Sequence, residues 1–235
     1  MLERICLWWA RPWKKSYLCA DQLNMESLFD FLWGPYLEAS GLQIGIEGAA
    51  FIFGILSVWY AKKEHVLVYP TGLLGTALTV YLLYQAQYLG DMMMNVYYSL
   101  MSLYGWYQWS RMDQGKPRLP ISRTRVSERW IGMGFFVLTT VVTYGVYQAF
   151  DYDMQWYSYV DMMTSGLFFT AMWYMANKKI EHWILWIVAD VITVPLYAYR
   201  GLGMLSLQYL IFTVLAIQGL TAWRKAITKS DELKS

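Results

Sequence analysis

Hydrophobic residues in this chain do not alternate with polar ones but come in long unbroken runs. Seven runs approach the ~20 apolar residues that a helix needs to cross ~30 Å of hydrocarbon, at residues 42–61, 66–84, 92–110, 130–150, 157–176, 182–199 and 204–223. Charges nearly vanish inside them. Trp and Tyr gather at their ends (Trp59, Tyr60, Trp106, Trp109, Trp130, Trp173, Tyr174, Trp223), as amphipathic rings at headgroup level should. The pattern predicts an all-α integral membrane protein with seven spans. Before them, Ile5 to Ala10 is too short for a signal-peptide core. Trp8, Trp9, Trp13 and Tyr17 beside Arg11, Lys14 and Lys15 predict instead a helix lying in the headgroup region, with an eighth span as the alternative.

Sliding the chain against itself exposes a duplication. Glu47, Trp59, Tyr60, Gly105 and Trp109 recur 114 positions later as Asp161, Trp173, Tyr174, Gly219 and Trp223. Between them Glu64 and His65 match Glu181 and His182 at a shift of 117, as if three residues were inserted, and Lys62 and Lys63 match Lys178 and Lys179. Spans one to three thus repeat as spans five to seven, with span four restoring the orientation. The predicted fold is a parallel 3+1+3 duplicated bundle, an arrangement common in transporters. Its parts are an interfacial segment (1–40), a first three-helix bundle (41–110), a basic cytoplasmic loop (111–129), a linker helix (130–150), a second bundle (151–225) and a cytoplasmic tail (226–235).

Composition removes several function classes. Only 15% of residues are charged, against roughly 25% in soluble domains. A net charge of +2 is too small for a protein that must neutralise phosphates, so nucleic acid is not an expected partner and the lipid bilayer is. Two cysteines, Cys6 and Cys19, make neither a disulfide framework nor a four-thiol metal site. Of the 19 Lys and Arg, 14 fall on one side once the loops alternate, from Lys62 and Lys63 to the tail after Trp223. By the positive-inside rule that side, with the C-terminus, is cytoplasmic.

Polar groups inside spans are costly and mark function. On span six Trp183, Trp186 and Asp190 sit at i, i+3 and i+7, one helix face, and Asp190 lies about 12 Å of rise beyond His182, near mid-membrane. A buried carboxylate beside aromatic faces suits a cation. Trp183 alone reads as an interface residue and Trp186, one turn deeper, as the better contact. Span three carries Asn95 and Tyr98, and span seven Gln208 and Tyr209; an amide offers donor and acceptor together, suited to hydroxyls or a carboxamide. The alternative for these amides is helix-to-helix bonding. Glu47 and Asp161 read first as structural and second as gate residues. The methionines at 92–94 read as pliable packing and both histidines lack a second ligand, so no metal or other cofactor is expected. Gly115-Lys116 is followed by Pro117 rather than Ser or Thr, so no phosphate-binding loop couples ATP. Span seven has no lysine for a retinal.

The duplicated seven-span layout, the N-x-x-Y of Asn95 to Tyr98 and the W-x-x-W of Trp183 to Trp186 followed by Asp190 resemble the PnuC family of bacterial vitamin transporters, over about residues 42–225. The resemblance implies the fold of the SWEET sugar transporters and carriage of nicotinamide riboside, with thiamine and riboflavin as the substrates of relatives. It further implies facilitated diffusion across the bacterial cytoplasmic membrane, trapping by phosphorylation inside, and a homo-oligomer, of which a trimer is the favoured form. On that likeness Asn95, Tyr98, Trp183 and Trp186 hold substrate; Gln208, Tyr209 and Asp190 join them by position. An integral-membrane enzyme would need a paired acidic motif or activated nucleophile; the close pair, Asp151 and Asp153, sits in a short outer loop. A seven-helix receptor would instead use loop 111–129 for a partner.

Overall fold

A computed structural model describes residues 40–85, 89–113, 116, 117, 119–149, 154–199 and 203–232, together with 32 and 34. The predicted interfacial helix, Met92 to Met94 as side chains, and Asp151 and Asp153 lie outside the described residues. Among those described, seven helices follow in order: α1 (Gly41–Lys62), α2 (Val68–Gln85), α3 (Leu89–Ser110), α4 (Val126–Ala149), α5 (Trp156–Ala176), α6 (Glu181–Tyr199) and α7 (Gly203–Glu232). An antiparallel pair, β1 (Met112–Asp113) and β2 (Lys116–Pro117), follows α3. Every predicted span is a helix. At the start of α1 the Ser40 hydroxyl accepts the Gln43 N–H at 3.2 Å, satisfying one of the donors that a helix start leaves bare. Beyond the predicted end at residue 223, α7 continues to Glu232, because no Gly or Pro interrupts the helix formers after Trp223.

By length and composition α1, α4, α6 and α7 are each able to cross a membrane, and α2 adds a shorter apolar stretch, Val68–Leu82. The more polar α3 and α5 pack against each other. Ten of the 21 residues of α5 are buried, so its Ser158, Thr164 and Thr170 meet protein rather than lipid. α1, α2 and α3 pack in sequence, as do α5, α6 and α7, with α4 leaning on α5. The two groups meet where α1 lies on α7 and α3 on α5.

The turns that end α1 and α5 are the same structure twice. The αL residue after each helix, Glu64 (φ 55°) or Lys178 (φ 49°), donates its N–H to Ala61 or Met175, and the next residue donates to Tyr60 or Tyr174. This is the Schellman closure that satisfies orphan helix-end carbonyls. Non-glycine residues in αL cost of order 1–3 kcal/mol each. All these pairs are 114 apart. The shift of 117 inferred from the Glu-His letters is therefore corrected: the turns superpose with no insertion, because backbone hydrogen bonds, rather than letter identity, set the register.

A second correction concerns the aromatic belt. Trp106 and Trp130 are exposed as expected, but Trp109 and Trp223 are 6% and 1% exposed. The Trp109 indole donates to the Met175 carbonyl and the Trp223 indole to the Ala61 carbonyl, each at 3.2 Å. Each carbonyl thus takes one bond from its own turn and one from the other three-helix group. Lipid gives helices no hydrophobic reason to associate, so close contact and interhelical hydrogen bonds must hold them. Ser57 donates to the Val68 carbonyl at 2.8 Å, Ser206 to Val194 at 2.9 Å and Thr170 to Gly132 at 3.2 Å. Each such bond contributes ~0.6 kcal/mol.

Two glycines at matching positions carry close approaches to aromatic rings. A Cβ on Gly105 would lie 2.2 Å from the Tyr69 ring, and one on Gly219 would lie 2.5 Å from the Trp183 ring. Both contacts are again 114 apart. Gly105→Ala and Gly219→Ala should each lower stability by about 1–3 kcal/mol through overpacking, read as a melting temperature several degrees lower in detergent. Gly45→Ala, which meets nothing within 4 Å, should show no loss.

Candidate functional site

The site is built on α6, whose face holds Trp183, Trp186 and Asp190. Glu181 in its first turn accepts the Thr124 N–H at 3.0 Å, tying the helix start to the segment before α4. The first group offers a comparison, since its residues 114 earlier are Tyr69, Gly72 and Thr76. Tyr69 and Trp183 are both fully buried in their contacts with glycine. The symmetry stops there. Where α2 has a bare glycine, α6 has the Trp186 ring; where α2 has Thr76, paired with the Ser99 hydroxyl at 2.8 Å, α6 has a carboxylate.

Trp183 and Trp186 meet edge to face, with centroids 5.5 Å apart. They differ in role. Trp183 is 0% exposed and packs on Trp223 at 5.8 Å and His182 at 4.4 Å, so it belongs to the core rather than to an interface. Its indole nitrogen has no partner among the described residues. Trp186 is half-buried, with one edge-on contact to His182 at 5.2 Å. His182 Nδ1 donates to the Lys179 carbonyl at 2.6 Å, which fixes the ring as a packing element.

Asp190 is 3% exposed, and its carboxylate forms no hydrogen bond or ion pair among the described residues. It lies within electrostatic range of the phenols of Tyr98 on α3 and Tyr209 on α7. These three predicted residues are therefore brought together from three helices. Burying a carboxylate without a partner costs several kcal/mol, which a counter-charge or a proton would offset. Tyr98 packs against Phe169 of α5 at 5.7 Å, beside a stacked Tyr97–Phe169 pair at 3.8 Å. Tyr209 contacts Tyr197 at 5.3 Å and Phe168 at 5.8 Å. Asn95 sits one turn from Tyr98, its carbonyl taking the Ser99 hydroxyl at 2.9 Å. Gln208 turns toward α1: a Cβ added at Gly54 would come 3.0 Å from its Nε2.

Three participants escaped the sequence reading. Tyr197 follows Asp190 by seven residues on the same α6 face, a signal that was present. Phe168 and Phe169 are aromatic residues in an apolar run and carried none. Asp161 was read first as structural; it accepts the Tyr147 hydroxyl of α4 at 3.3 Å and also lies within electrostatic range of Tyr98 and Tyr209. Its repeat mate Glu47 instead accepts from Gln43 at 3.1 Å on the exposed start of α1.

Comparison with known proteins follows this geometry. The profile of the family described as nicotinamide mononucleotide transporter matches residues 44–225. The nicotinamide riboside transporter PnuC of Escherichia coli (strain K12) is 26% identical over 211 residues, 80% of this chain and 88% of the relative. The riboflavin/roseoflavin transporter RibM of Streptomyces davaonensis is 26% identical over 124 residues, 52% of this chain and 58% of the relative. A crystal structure of the vitamin B3 transporter PnuC aligns at a TM-score of 0.64 and 21% identity, covering 88% of this chain and 94% of that one.

The two tryptophans should separate by experiment. Trp183→Ala removes a fully buried ring and should cost about 3–5 kcal/mol of stability, seen as loss of the monodisperse peak in size-exclusion chromatography. Trp186→Ala should keep that peak and melt within a few degrees of the parent.

Proposed function

This chain belongs to the nicotinamide mononucleotide transporter family, and on that premise we propose that it carries nicotinamide riboside across the membrane. The observation that carries the substrate assignment is Asp190, a buried carboxylate without a protein partner among the described residues, beside the half-buried Trp186 ring and within electrostatic range of the phenols of Tyr98 and Tyr209. Nicotinamide riboside offers the complement: a flat ring of fixed positive charge, a carboxamide and ribose hydroxyls. Trp186 faces the cationic ring, Trp183 holds Trp186 in place, and Asp190 balances the charge. Asn95 and Gln208 serve the carboxamide or hydroxyls, with Tyr98 and Tyr209 closing the site.

The helix order, with α1–α3 and α5–α7 packed as separate groups and their end turns repeated at 114 residues, supports a parallel 3+1+3 arrangement of the SWEET type, α4 being the linker and residues 1–40 an interfacial segment. Rocking of one group against the other would expose the site to each side in turn. We assign the carrier to a bacterial cytoplasmic membrane with its C-terminus inside, acting as a homo-oligomer, a trimer in the favoured form. Transport proceeds by facilitated diffusion, and phosphorylation inside the cell traps the product; no catalytic role is assigned to the chain. The similarity to RibM favours riboflavin as the second reading, and thiamine is a third candidate. Riboflavin is neutral and would leave Asp190 uncompensated.

Calorimetry on purified protein with the three vitamins tests the assignment. Nicotinamide riboside should bind most tightly, and preference for riboflavin would reverse it. Trp186→Ala should weaken nicotinamide riboside binding at least tenfold, since loss of a desolvated cation–π face removes more than about 1.4 kcal/mol.

Energy coupling gives a separate test. Because Asp190 neutralises a cationic ligand rather than carrying a proton, an imposed pH gradient across liposomes should leave the final distribution of nicotinamide riboside unchanged. Asp190→Asn should weaken binding while flux still equilibrates. Accumulation above the outside concentration, abolished by Asp190→Asn, would make this carboxylate a proton carrier.

A further inference from the structure

The αL position after a helix is usually glycine, which alone takes it without a steric cost. Here both repeated turns place a charged side chain there, Glu64 in one and Lys178 in the other, and the charges are opposite. Lys178 Nζ donates to Glu64 Oε1 at 2.7 Å. The two strained residues, 114 apart in sequence, thus meet across the junction between the helix groups. Backbone strain kept at matching positions is a reason to look for function there.

The environments of the two charges differ. The Lys178 side chain is 4% exposed, the Glu64 side chain 35%. The ammonium also lies 4.7 Å from the Trp109 ring, the same ring whose indole holds the Met175 carbonyl. The second turn is strapped down: Ser122 donates its N–H to the Lys178 carbonyl at 3.1 Å and accepts from Ile180 at 3.0 Å, and Lys179 pairs with Glu128 of α4 at 2.8 Å. Among the described residues no such strap reaches the first turn. Its polar ties to the second group are Glu64 to Lys178, Ala61 to Trp223, and Lys62 to Gln218 at 2.8 Å. One side of the junction is therefore anchored to α4, while the other shares a buried core with the second group through Ala61, Val68 and Tyr69 and adds a few polar ties, one of them an ion pair with a water-facing carboxylate. On release Glu64 is taken up by water while the Lys178 ammonium keeps the Trp109 face, so the pair can break and reform without leaving either charge bare.

We propose that the Glu64–Lys178 pair is a latch closing the passage between the two helix groups at the end where these turns meet, the end that the proposed orientation puts in the cytoplasm. The α1–α2 turn swings away when the pair breaks, while the α5–α6 turn stays with α4. The proposal rests on the transport reading above. Glu64 and Lys178 act as gating residues and do not touch substrate.

The test uses full-length protein with Cys6→Ser and Cys19→Ser, carrying Glu64→Cys and Lys178→Cys, bridged by a short thiol-reactive linker that reduction releases. Bridging should cut nicotinamide riboside uptake into liposomes at least tenfold, reduction should restore it, and binding by the bridged protein should stay within threefold. Unchanged uptake after complete bridging overturns the latch. Absence of uptake in the Cys6→Ser, Cys19→Ser parent, which keeps Glu64 and Lys178, counts against the transport reading instead, and the latch is then judged without substrate. For that, spin labels on cysteines replacing the exposed Lys63 and Arg123 report the separation of the two turns. Two distance populations should appear, with Glu64→Gln enlarging the longer one and the exchange Glu64→Lys with Lys178→Glu reversing that gain. A single distance unmoved by Glu64→Gln overturns the latch.

Discussion

Two buried helix-end carbonyls, those of Ala61 and Met175, organise this protein. A buried carbonyl must find donors, and each of these takes one from its own turn and one from a tryptophan of the opposite helix group. The arrangement is reciprocal. It fixes the first helix of each group against the last helix of the other, so α1 lies on α7 and α3 on α5. Once these contacts are set, Gly105 and Gly219 must stay bare, because Tyr69 and Trp183 fill the space above them.

On this near-symmetric frame the site is one-sided. Residues 114 apart match closely where they hold the frame and diverge along the α6 face and at Tyr209: Gly72 against Trp186, Thr76 against Asp190, Asn95 against Tyr209. The hydroxyl of Thr76 is satisfied by Ser99, whereas the Asp190 carboxylate is left without a protein partner among the described residues. A ligand with one flat cationic end and one hydroxylated end is itself asymmetric, and a symmetric lining could not orient it. Stability favours partnered groups, and under the proposed function a cationic ligand would supply the partner that Asp190 lacks among the described residues.

Much of this was legible in the linear chain. Seven apolar runs of spanning length specify seven helices, since hydrocarbon tolerates no unsatisfied backbone. The recurrence at 114 residues exposes the duplication, and the i, i+3, i+7 spacing of Trp183, Trp186 and Asp190 by itself puts them on one helix face. Proximity across helices was a different matter. That Tyr98, Asp190 and Tyr209 converge, that Phe169 backs Tyr98, and that Trp109 and Trp223 are interior donors rather than belt residues all depend on contacts between distant segments. The Glu-His repetition even pointed to a false register, because matching letters carry no information about which backbone groups bond.

The division has a physical basis. Helix existence and span length follow from the local balance between apolar side chains and backbone hydrogen bonds, quantities contained within about twenty consecutive residues. Which face of each helix turns inward, which tryptophan is Trp186 and which is Trp183 in role, and that Glu64 meets Lys178 are settled by packing between residues more than a hundred positions apart, as the 114-residue separation of that ion pair illustrates. Those contacts have no local signature, and only the folded chain brings them together.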